Sequence, residues 1–345
     1  MFAFIDYLYL SVIIICSNIF IIFLLKNSKK KFLSIFLDSE FSKVQSFHTR
    51  PVLKVGGGFI FFFIFLSYLF FKESFLLRDI FFMSFPIFFF SILEDLKIKI
   101  NPLLRLIVLF VIIFFLVKFF SLKIYSIQFY SFDKFLNSYQ ILSLIFSTLC
   151  IAFLINGSNF IDGFNGLLGI HSSIIIFILS IINYYYDNFD LFFLCILFLI
   201  CFIIFLFFNF PNSKVFLGNS GSYLTGFILA ILVIWTSQKT QYHKVYPFFF
   251  ACLLNYIFFE IFFSFFRKIF YEKKNPLYPD KKHLHMLVFA YFKTHVKTTL
   301  VINFFYFITI ILALLFLNNP GFLKILFILQ ILFYIIFYVI LVKKL

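Results

Sequence analysis

Charged residues are scarce in this chain, and that scarcity excludes a soluble globular protein. Only 12% of the 345 residues are Asp, Glu, Lys or Arg, whereas 63% are hydrophobic and the mean hydropathy is +1.08. Such a composition leaves too little polar surface to cover a globule in water. Apolar runs recur from end to end, so no segment remains for a soluble domain. The sequence therefore predicts an integral membrane protein.

Cysteine is also sparse. The chain has five, all inside apolar runs and without the spacing of metal ligands: Cys16, Cys150, Cys195, Cys201 and Cys252. We therefore expect neither a disulfide framework nor a zinc site, and we interpret these thiols as packing residues.

Eleven apolar segments approach the length of about 20 residues that a membrane helix needs. They predict an all-α polytopic fold with one transmembrane domain over residues 1–345. Lysines follow the first span without a small-residue cleavage pattern, so we expect a retained anchor. The predicted spans lie near 3–25, 57–71, 79–93, 103–120, 141–155, 167–185, 189–208, 222–236, 246–266, 298–317 and 321–342.

The net charge of +15 could indicate a nucleic-acid partner, but the positions of the 29 basic residues indicate a membrane instead. Alternate loops and the C-terminus hold 21 of them, and the opposite face and its flanks hold eight. By the positive-inside rule the lysine-rich loops face the cytoplasm, the N-terminus lies outside and the C-terminus inside. We expect no nucleic-acid partner.

Five polar clusters stand out, and this topology puts all five on the cytoplasmic side. They cover residues 48–58, 94–95, 156–166, 218–222 and 279–285. Polar groups at the end of a membrane helix are costly unless they bind something. The shared side therefore indicates one functional site, although a helix-connecting turn is the alternative for any single cluster. The cluster at 156–166 is denser than a turn requires.

Three carboxylates reach a common depth in this topology. Glu94 and Asp95 close one span, and Asp162 precedes another. Carboxylate oxygens suit magnesium, which prefers a few carboxylates together with water and substrate phosphates. The alternative for the first two residues is a solvated helix end paired with Lys97 or Lys99.

Two glycine clusters, at 56–58 and 218–222, offer backbone N–H groups near helix starts, where phosphate oxygens are often held.

His283 and His285 are two residues apart and therefore share no helical face, which favours a loop over a paired metal motif. The alternative for either histidine is an ordinary residue of a surface loop. Four side chains add positive charge or hydrogen bonds for a diphosphate: Lys54, Arg105, His283 and His285.

The five polar clusters, taken in their order along the chain, resemble the motifs of the polyprenyl-phosphate N-acetylhexosamine-1-phosphate transferases, the superfamily of MraY and WecA. The motif-bearing core covers about residues 45–290. Residues 48–57 are similar to the family segment H-x-x-P-x-P-R-x-G-G, 94–95 to its Asp-Asp pair, 156–167 to N-x-x-N-x-x-D-G-x-D-G-L, 218–222 to G-D-x-G-S and 279–285 to its histidine loop.

The resemblance implies an enzyme of the inner membrane whose site faces the cytoplasm. It would transfer an N-acetylhexosamine phosphate from a UDP-sugar to undecaprenyl phosphate or a similar polyprenyl phosphate, release UMP and start a lipid-linked cell-envelope glycan. Membrane lipid would surround it, and the resemblance allows a homodimer.

The resemblance also implies roles for single residues. The catalytic residues would be Asp95, Asp162 and Glu94. Magnesium, or manganese in its place, would be bound by Asp162, Asn219 and Asp95. The substrates would be bound by Lys54, Gly56, Gly57, Arg105, Asn156, Asn159, Asn165, His283 and His285.

The chain departs from the family pattern, most seriously at Asn219, which stands where an Asp is expected to bind magnesium. An amide oxygen can coordinate this cation but brings no charge. Three alternatives follow: Asp162 and Asp95 bind the metal, the affinity for magnesium is lower, or catalysis is lost. The histidine loop reads H-L-H-M, which resembles the WecA-like group that primes O-antigen or capsule units. The other departures are Leu53, Glu94, Asn165 and Met286.

Two other classes of protein stay open at this point. A secondary transporter would carry polar residues near the middle of the bilayer, where Asp6 and Glu260 are the nearest candidates. A catalytically impaired, scaffold-like homologue would explain Asn219.

The charge asymmetry predicts the sidedness of three loops. Cysteines introduced by Lys30→Cys and Asn275→Cys should resist an impermeant thiol reagent in intact cells, because both loops are predicted to be cytoplasmic. A cysteine introduced by Gln241→Cys should react. Permeabilised cells supply the control, since all three should react there, and the opposite pattern in intact cells would contradict the topology.

Overall fold

The chain folds into a bundle of membrane-length helices, seen here in a computed structural model. The structure describes residues 4–28, 30–38, 51–240, 245–276, 278 and 280–345. Three predicted features therefore lie outside the described residues: His48 to Arg50 of the first motif, Pro279 of the histidine loop, and position 241.

The helices follow one another along nearly the whole chain. In order they are α1 (Phe4–Lys26), α2 (Lys31–Ser34), α3 (Gly56–Phe70), α4 (Phe75–Asp95), α5 (Pro102–Phe119), α6 (Tyr130–Ser138), α7 (Gln140–Ile161), α8 (Leu167–Tyr185), α9 (Phe189–Asn209), α10 (Gly218–Thr240), α11 (Pro247–Phe266), α12 (Leu284–Phe292), α13 (His295–Leu315) and α14 (Pro320–Lys344). A π-helical turn, Arg267–Tyr271, continues α11.

Each predicted span corresponds to one of these helices, which confirms the all-α polytopic fold. Within the described residues ten helices are long and apolar enough to cross a membrane, and α3 is a shorter apolar helix of 15 residues. Two helices are longer than predicted at the ends that carry polar motifs. Helix α7 continues to Ile161 instead of stopping at 155, and α10 begins at Gly218 instead of 222. Polar motif residues lower the local hydropathy there without ending the helix.

Helix α10 occupies the centre of the bundle. It is the most buried of the ten membrane-length helices and contacts α3, α4, α7 and α8. Gly226 makes the approach of α7 possible, because a Cβ atom there would lie 2.7 Å from the Cα atom of Ile155. Close backbone approach at small residues is how membrane helices gain packing energy.

A small sheet brings the starts of α3 and α10 together. Strand β1 (Leu37–Asp38) pairs antiparallel with β2 (Val52–Lys54), and β2 pairs parallel with β3 (Val215–Phe216). Because β2 leads into α3 and β3 leads into α10, the two helices begin side by side. The Gly57 N–H donates to the Leu217 carbonyl oxygen over 3.0 Å. A side chain on Gly57 would overlap Ser220, so glycine is required at this crossing.

The contact between α7 and α10 predicts a stability difference between two glycine substitutions. Gly226→Ala should lower the free energy of unfolding by about 1–3 kcal/mol, because the added methyl group overpacks the helix crossing. Gly58→Ala is the matched control, since a Cβ atom there meets no described heavy atom within 4 Å. Thermal unfolding in detergent measures both, and equal midpoints for the two variants would contradict the packing described here.

Candidate active site

Members of all five polar clusters meet at one end of the bundle, where α4 and α7 end and α3, α10 and α12 begin. Asp95 bonds to the start of α10, and Gly57 lies against Ser220. Asn159 bonds to Ser222. Gly163 lies against His285, because a Cβ atom on this glycine would be 3.4 Å from the Nε2 atom of the histidine. Clusters from both ends of the motif-bearing core therefore share one site.

Asp95 caps the N-terminus of α10. Its Oδ1 atom accepts from the Asn219 N–H at 2.8 Å, and its Oδ2 atom accepts from the Ser220 N–H at 2.9 Å and the Ser220 hydroxyl at 2.5 Å. The residue is only 4% exposed. A buried carboxylate is stabilised by such bonds and by the positive end of the helix dipole.

This cap corrects one prediction about phosphate binding. The backbone N–H groups of Asn219 and Ser220 were expected to hold phosphate oxygens, but they already donate to a protein carboxylate. Gly218 adopts φ 71°, and a Cβ atom there would lie 2.9 Å from the Asp95 oxygens. The glycine is thus required by the close approach of Asp95. The prediction that Asp95 binds metal stays a prediction.

Glu94 forms an ion pair with Arg105 at the start of α5. The Arg105 Nη1 atom lies 3.2 and 3.3 Å from the two carboxylate oxygens. Within the described part of the chain, Arg105 is the cation bonded to Glu94, and the pairing with Lys97 or Lys99 does not form. The Arg105 charge is therefore largely neutralised by a neighbour. Roles for Glu94 in catalysis and for Arg105 in substrate binding stay predictions.

Asp162 is the carboxylate that the protein leaves open. It follows α7 directly, and its N–H donates to the Ser158 carbonyl oxygen at 3.2 Å. Among the described residues no side chain or backbone group hydrogen-bonds its carboxylate. Burial raises the pKa of Asp162 to about 7; the Lys54 ammonium opposes this shift and the Asp95 charge adds to it. An open carboxylate beside a lysine is suited to a cation or a phosphate-bearing ligand.

Lys54 itself is held at the edge of the site. Its Nζ atom lies 2.8 Å from an Asp38 carboxylate oxygen, and it is close enough to Asp95 and Asp162 to stabilise their charged forms. Gly56 follows Lys54 at the start of α3, where a Cβ atom would lie 2.7 Å from the Cα atom of Leu217. Gly56 and Gly57 are thus needed for packing, and their substrate-binding role stays a prediction.

The asparagines of the 156–166 loop hold the loop in place. The Asn159 side-chain oxygen accepts from the Ser222 hydroxyl at 2.8 Å, which ties α7 to α10. The Asn156 amide donates to the Ala152 carbonyl oxygen at 2.8 Å within its own helix. These bonds give both residues a structural task, whereas their predicted contact with substrate is untested.

Two residues outside the predicted motifs shape the end of this loop. Asn209 accepts from the Gly166 N–H at 2.6 Å, and the Thr299 hydroxyl donates to the Asn165 carbonyl oxygen at 2.8 Å. The Asn165 side chain donates to the Pro211 carbonyl oxygen at 3.0 Å. Asn209 could have been found in the sequence, because an asparagine ends an apolar span there. No sequence feature singled out Thr299. The predicted role of Asn165 in substrate binding stays open.

Both histidines of the last cluster are buried, which excludes the surface-loop interpretation. His283 is 2% exposed and precedes α12; His285 is 0% exposed and lies inside the first turn of α12, so the prediction of a loop was wrong for this residue. Their rings stack with centroids 5.5 Å apart. Burial lowers the pKa of His285 to about 4, which makes it neutral at pH 7. Neither of its ring nitrogens has a partner among the described residues.

Glu260, one of the two acidic residues that a transporter would use, belongs to this cluster instead. Its carboxylate lies 2.9 Å from the Nδ1 atom of His283. Asp6, the other candidate, lies in the first turn of α1 and therefore near a helix end. Neither observation favours a transport pathway through the middle of the bundle.

The basic segment at 267–297 is partly self-neutralised. Arg267 pairs with Glu272 at 2.6 Å and with Asp280 at 2.7 Å, and Lys282 pairs with Glu272 at 2.9 Å. Lys268 donates to the Tyr278 carbonyl oxygen at 2.8 Å. Three of the basic residues expected to attract an anionic nucleotide thus stabilise the loop itself.

The oxygen donors that remain open fit a hard cation. Asp162 offers a carboxylate and Asn219 a side-chain amide, and neither of these groups has a hydrogen-bond partner in the described part of the chain. Within the described residues no group of three or more His, Cys, Asp or Glu could hold a metal. A magnesium site here would therefore use few protein ligands and would be completed by water and substrate phosphates, as is common for this ion.

Comparison with known proteins finds similarity over the middle of the chain. Residues 77–237 match glycosyl transferase family 4, a segment that runs from α4 to α10 and includes Asp95, Asp162 and Asn219. A relative from Thermotoga maritima, named undecaprenyl-phosphate alpha-N-acetylglucosaminyl 1-phosphate transferase, is 32% identical over 149 residues. That match covers 41% of this chain and 41% of the relative. The matched segment and the order of its motifs make residues 77–237 similar to glycosyl transferase family 4, in agreement with the resemblance of the motifs to the superfamily of MraY and WecA.

Proposed function

We propose that this protein transfers a sugar-1-phosphate, an N-acetylhexosamine phosphate, from a UDP-sugar to a polyprenyl phosphate and releases UMP. One observation carries the proposal: the open carboxylate of Asp162 lies at the meeting point of Lys54, the capped start of α10 and the buried histidines. This site lies at the end of a membrane bundle, where a lipid phosphate and a soluble nucleotide can meet.

The proposed reaction breaks one phosphoanhydride bond and forms another. A phosphate oxygen of the lipid attacks the sugar-bearing phosphorus of the donor, the bond between the two donor phosphates breaks, and UMP leaves with the electron pair. Such a transfer needs positioning and charge neutralisation more than covalent chemistry by the protein. A variant in which a carboxylate attacks first is an alternative route to the same products.

Residues of this chain have distinct tasks in the proposal. Asp162 and Asn219 would hold magnesium, with manganese as a substitute, and Lys54 would face the donor phosphates. Magnesium, when bound, would neutralise charge on the diphosphate. His285, neutral at pH 7, offers one N–H and one lone pair to the donor. Asp95 acts by holding the start of α10.

A groove along the same helices suits the prenyl chain of the acceptor. A cavity of about 700 Å³ lies between α7, α10, α11 and residues 123–128, and its walls are mainly aliphatic and aromatic. Its lining extends along α7 as far as Leu154 and includes none of the site residues. Helices α7 and α10 also carry Asp162 and Asn219 at their ends toward the site. A long isoprenoid chain would therefore bind with its phosphate toward the polar cluster.

Three finer statements complete the proposal. The site faces the cytoplasm of the inner membrane, in keeping with the charge asymmetry of the loops. The H-L-H-M sequence favours the WecA-like group and a role in lipopolysaccharide O-antigen or capsule synthesis. The name of the Thermotoga relative makes UDP-N-acetylglucosamine the first donor to test. A catalytically impaired homologue is the second candidate, favoured by Asn219 alone.

The decisive experiment combines purified protein with polyprenyl phosphate, magnesium and a panel of UDP-N-acetylhexosamines. Release of UMP together with a lipid-linked sugar supports the proposal and identifies the donor. Absence of UMP with every donor would favour the impaired homologue, provided that the protein has the thermal unfolding transition of a folded sample.

Removal of the open carboxylate should abolish most activity. We expect Asp162→Asn to lower turnover at least about a hundredfold, the effect of losing a preorganised electrostatic partner in phosphoryl transfer. Asp190→Asn is the matched control, because Asp190 is exposed at the opposite end of α9 from Asn209. UMP release measures both variants, and near-parental activity of Asp162→Asn would remove this carboxylate from the mechanism.

The amide at position 219 should weaken magnesium binding, because coordination by oxygen depends on ligand charge. Asn219→Asp should therefore lower the magnesium concentration needed for half-maximal UMP release. An impaired homologue would instead show no turnover in the parent and some in the variant. Loss of activity in Asn219→Asp would mean that the added charge repels the diphosphate. An unchanged magnesium requirement in two active proteins would show that residue 219 is not a ligand.

A further inference from the structure

Glu260 is a buried acid in the apolar part of α11, and each of its oxygens is hydrogen-bonded. It is 1% exposed. Its Oε1 atom lies 2.9 Å from the Nδ1 atom of His283 and accepts from the Leu284 N–H at 3.1 Å. Its Oε2 atom accepts from the Tyr334 hydroxyl at 2.8 Å. We name these four residues the Glu260 cluster.

The geometry determines which His283 nitrogen carries a proton. An ionised carboxylate has no proton to donate, so the Nδ1 atom of His283 must donate to Glu260. The Nε2 atom points away from Glu260 and lies 3.6 Å from an Asp280 carboxylate oxygen. A hydrogen bond on one imidazole nitrogen sets the tautomer and the ring orientation, and so decides what the other nitrogen can do.

The two histidines differ in how they are held. His283 is fixed by the Glu260 cluster, whereas no described residue bonds to either nitrogen of the fully buried His285. The His285 ring is placed by its neighbours: it stacks on His283, packs against Phe164 with centroids 5.7 Å apart, and faces Gly163. An unbonded polar atom in a buried position is costly, and a ligand that completes its bonds would remove that cost.

Glu260 also holds the beginning of α12. The Leu284 N–H is one of the unpaired donors at a helix N-terminus, and Glu260 accepts from it. Because His285 is the next residue along this helix, the same bond limits where its ring can lie. A carboxylate from α11 therefore controls both histidines, one directly and one through the backbone.

We propose that Glu260 is a positioning residue of the active site, which fixes His283 through its Nδ1 atom and fixes α12 through Leu284, so that His285 faces the Asp162–Gly163 turn. The inference rests on the proposed function for its effect on catalysis. It assigns no contact between Glu260 and substrate. The expected partner of His285 is the diphosphate or the nucleoside of the donor, and not the prenyl chain of the acceptor.

A spectroscopic experiment tests whether Glu260 holds His283, and it does not depend on enzymatic turnover. Protein with ¹⁵N-labelled histidine in detergent should show His283 with its proton on Nδ1, and His283→Gln identifies its signals among the six histidines. Glu260→Leu should lose this signature because the acceptor is gone. Ser264→Ala is the matched control, since Ser264 is buried in the same helix without a hydrogen-bond partner among the described residues. It should keep the signature.

Kinetics test the consequence. The KM for the UDP-sugar should rise about tenfold or more in Glu260→Leu, by analogy with the loss caused by removing a group that orients a metal-binding histidine. The KM for polyprenyl phosphate should stay within about twofold of the parent, because the acceptor does not depend on His285. Glu260→Gln, which keeps an oxygen acceptor, should recover part of the loss.

Each outcome decides one of the two proposals. A folded Glu260→Leu with the parental histidine signature and the parental KM for the donor overturns the role of Glu260. If this variant does not fold, the labelled parent decides: a His283 that carries its proton on Nε2 alone overturns the role of Glu260 equally, because its Nδ1 atom then donates nothing to Glu260. A parent that releases no UMP overturns the proposed function, and the histidine signature then decides on Glu260 alone.

Discussion

The hydrogen bonds from the start of α10 to Asp95 are the interaction on which the rest of the site depends. Helix α10 is the central element of the bundle, and its N-terminus would otherwise end in unpaired N–H groups at low dielectric. Asp95 satisfies two of these groups, joins α4 to α10 and is itself stabilised by the helix dipole. With the β2–β3 pair on the other side, this cap sets where Lys54, Asn219 and Ser222 lie.

Four acidic side chains that look alike in sequence have four different surroundings. Asp95 caps a helix, Glu94 pairs with Arg105, and Glu260 bonds to His283. Asp162 is left without a hydrogen-bond partner in the described part of the chain. A carboxylate whose charge is already compensated gains little by binding a cation, whereas an open one gains the full interaction. Our proposal therefore centres the chemistry of this site on Asp162.

The neutral residue at position 219 fits this distribution of charge. Asn219 follows Gly218 directly, and its own N–H donates to Asp95. A third carboxylate here would lie close to both Asp95 and Asp162, which already repel each other. The amide adds no charge of this kind beside the Asp95 cap. In the proposed function, the amide would leave a bound cation with less protein charge, so that substrate phosphates would supply more of its ligands.

Hydropathy alone determined the eleven helical segments, because a backbone in lipid must satisfy its own hydrogen bonds and does so as a helix. The motifs were visible too, as polar residues that an apolar chain cannot carry without cost. The exact helix ends and the interaction made by each acidic residue were not visible in the sequence. Helices α7 and α10 extend into polar motifs. In the sequence Glu260 resembled a transporter residue, whereas in the structure it bonds to His283, which precedes α12. The Asp95 cap joins residues 124 and 125 positions apart. Such partners depend on which helices pack together, so only the tertiary structure decided them.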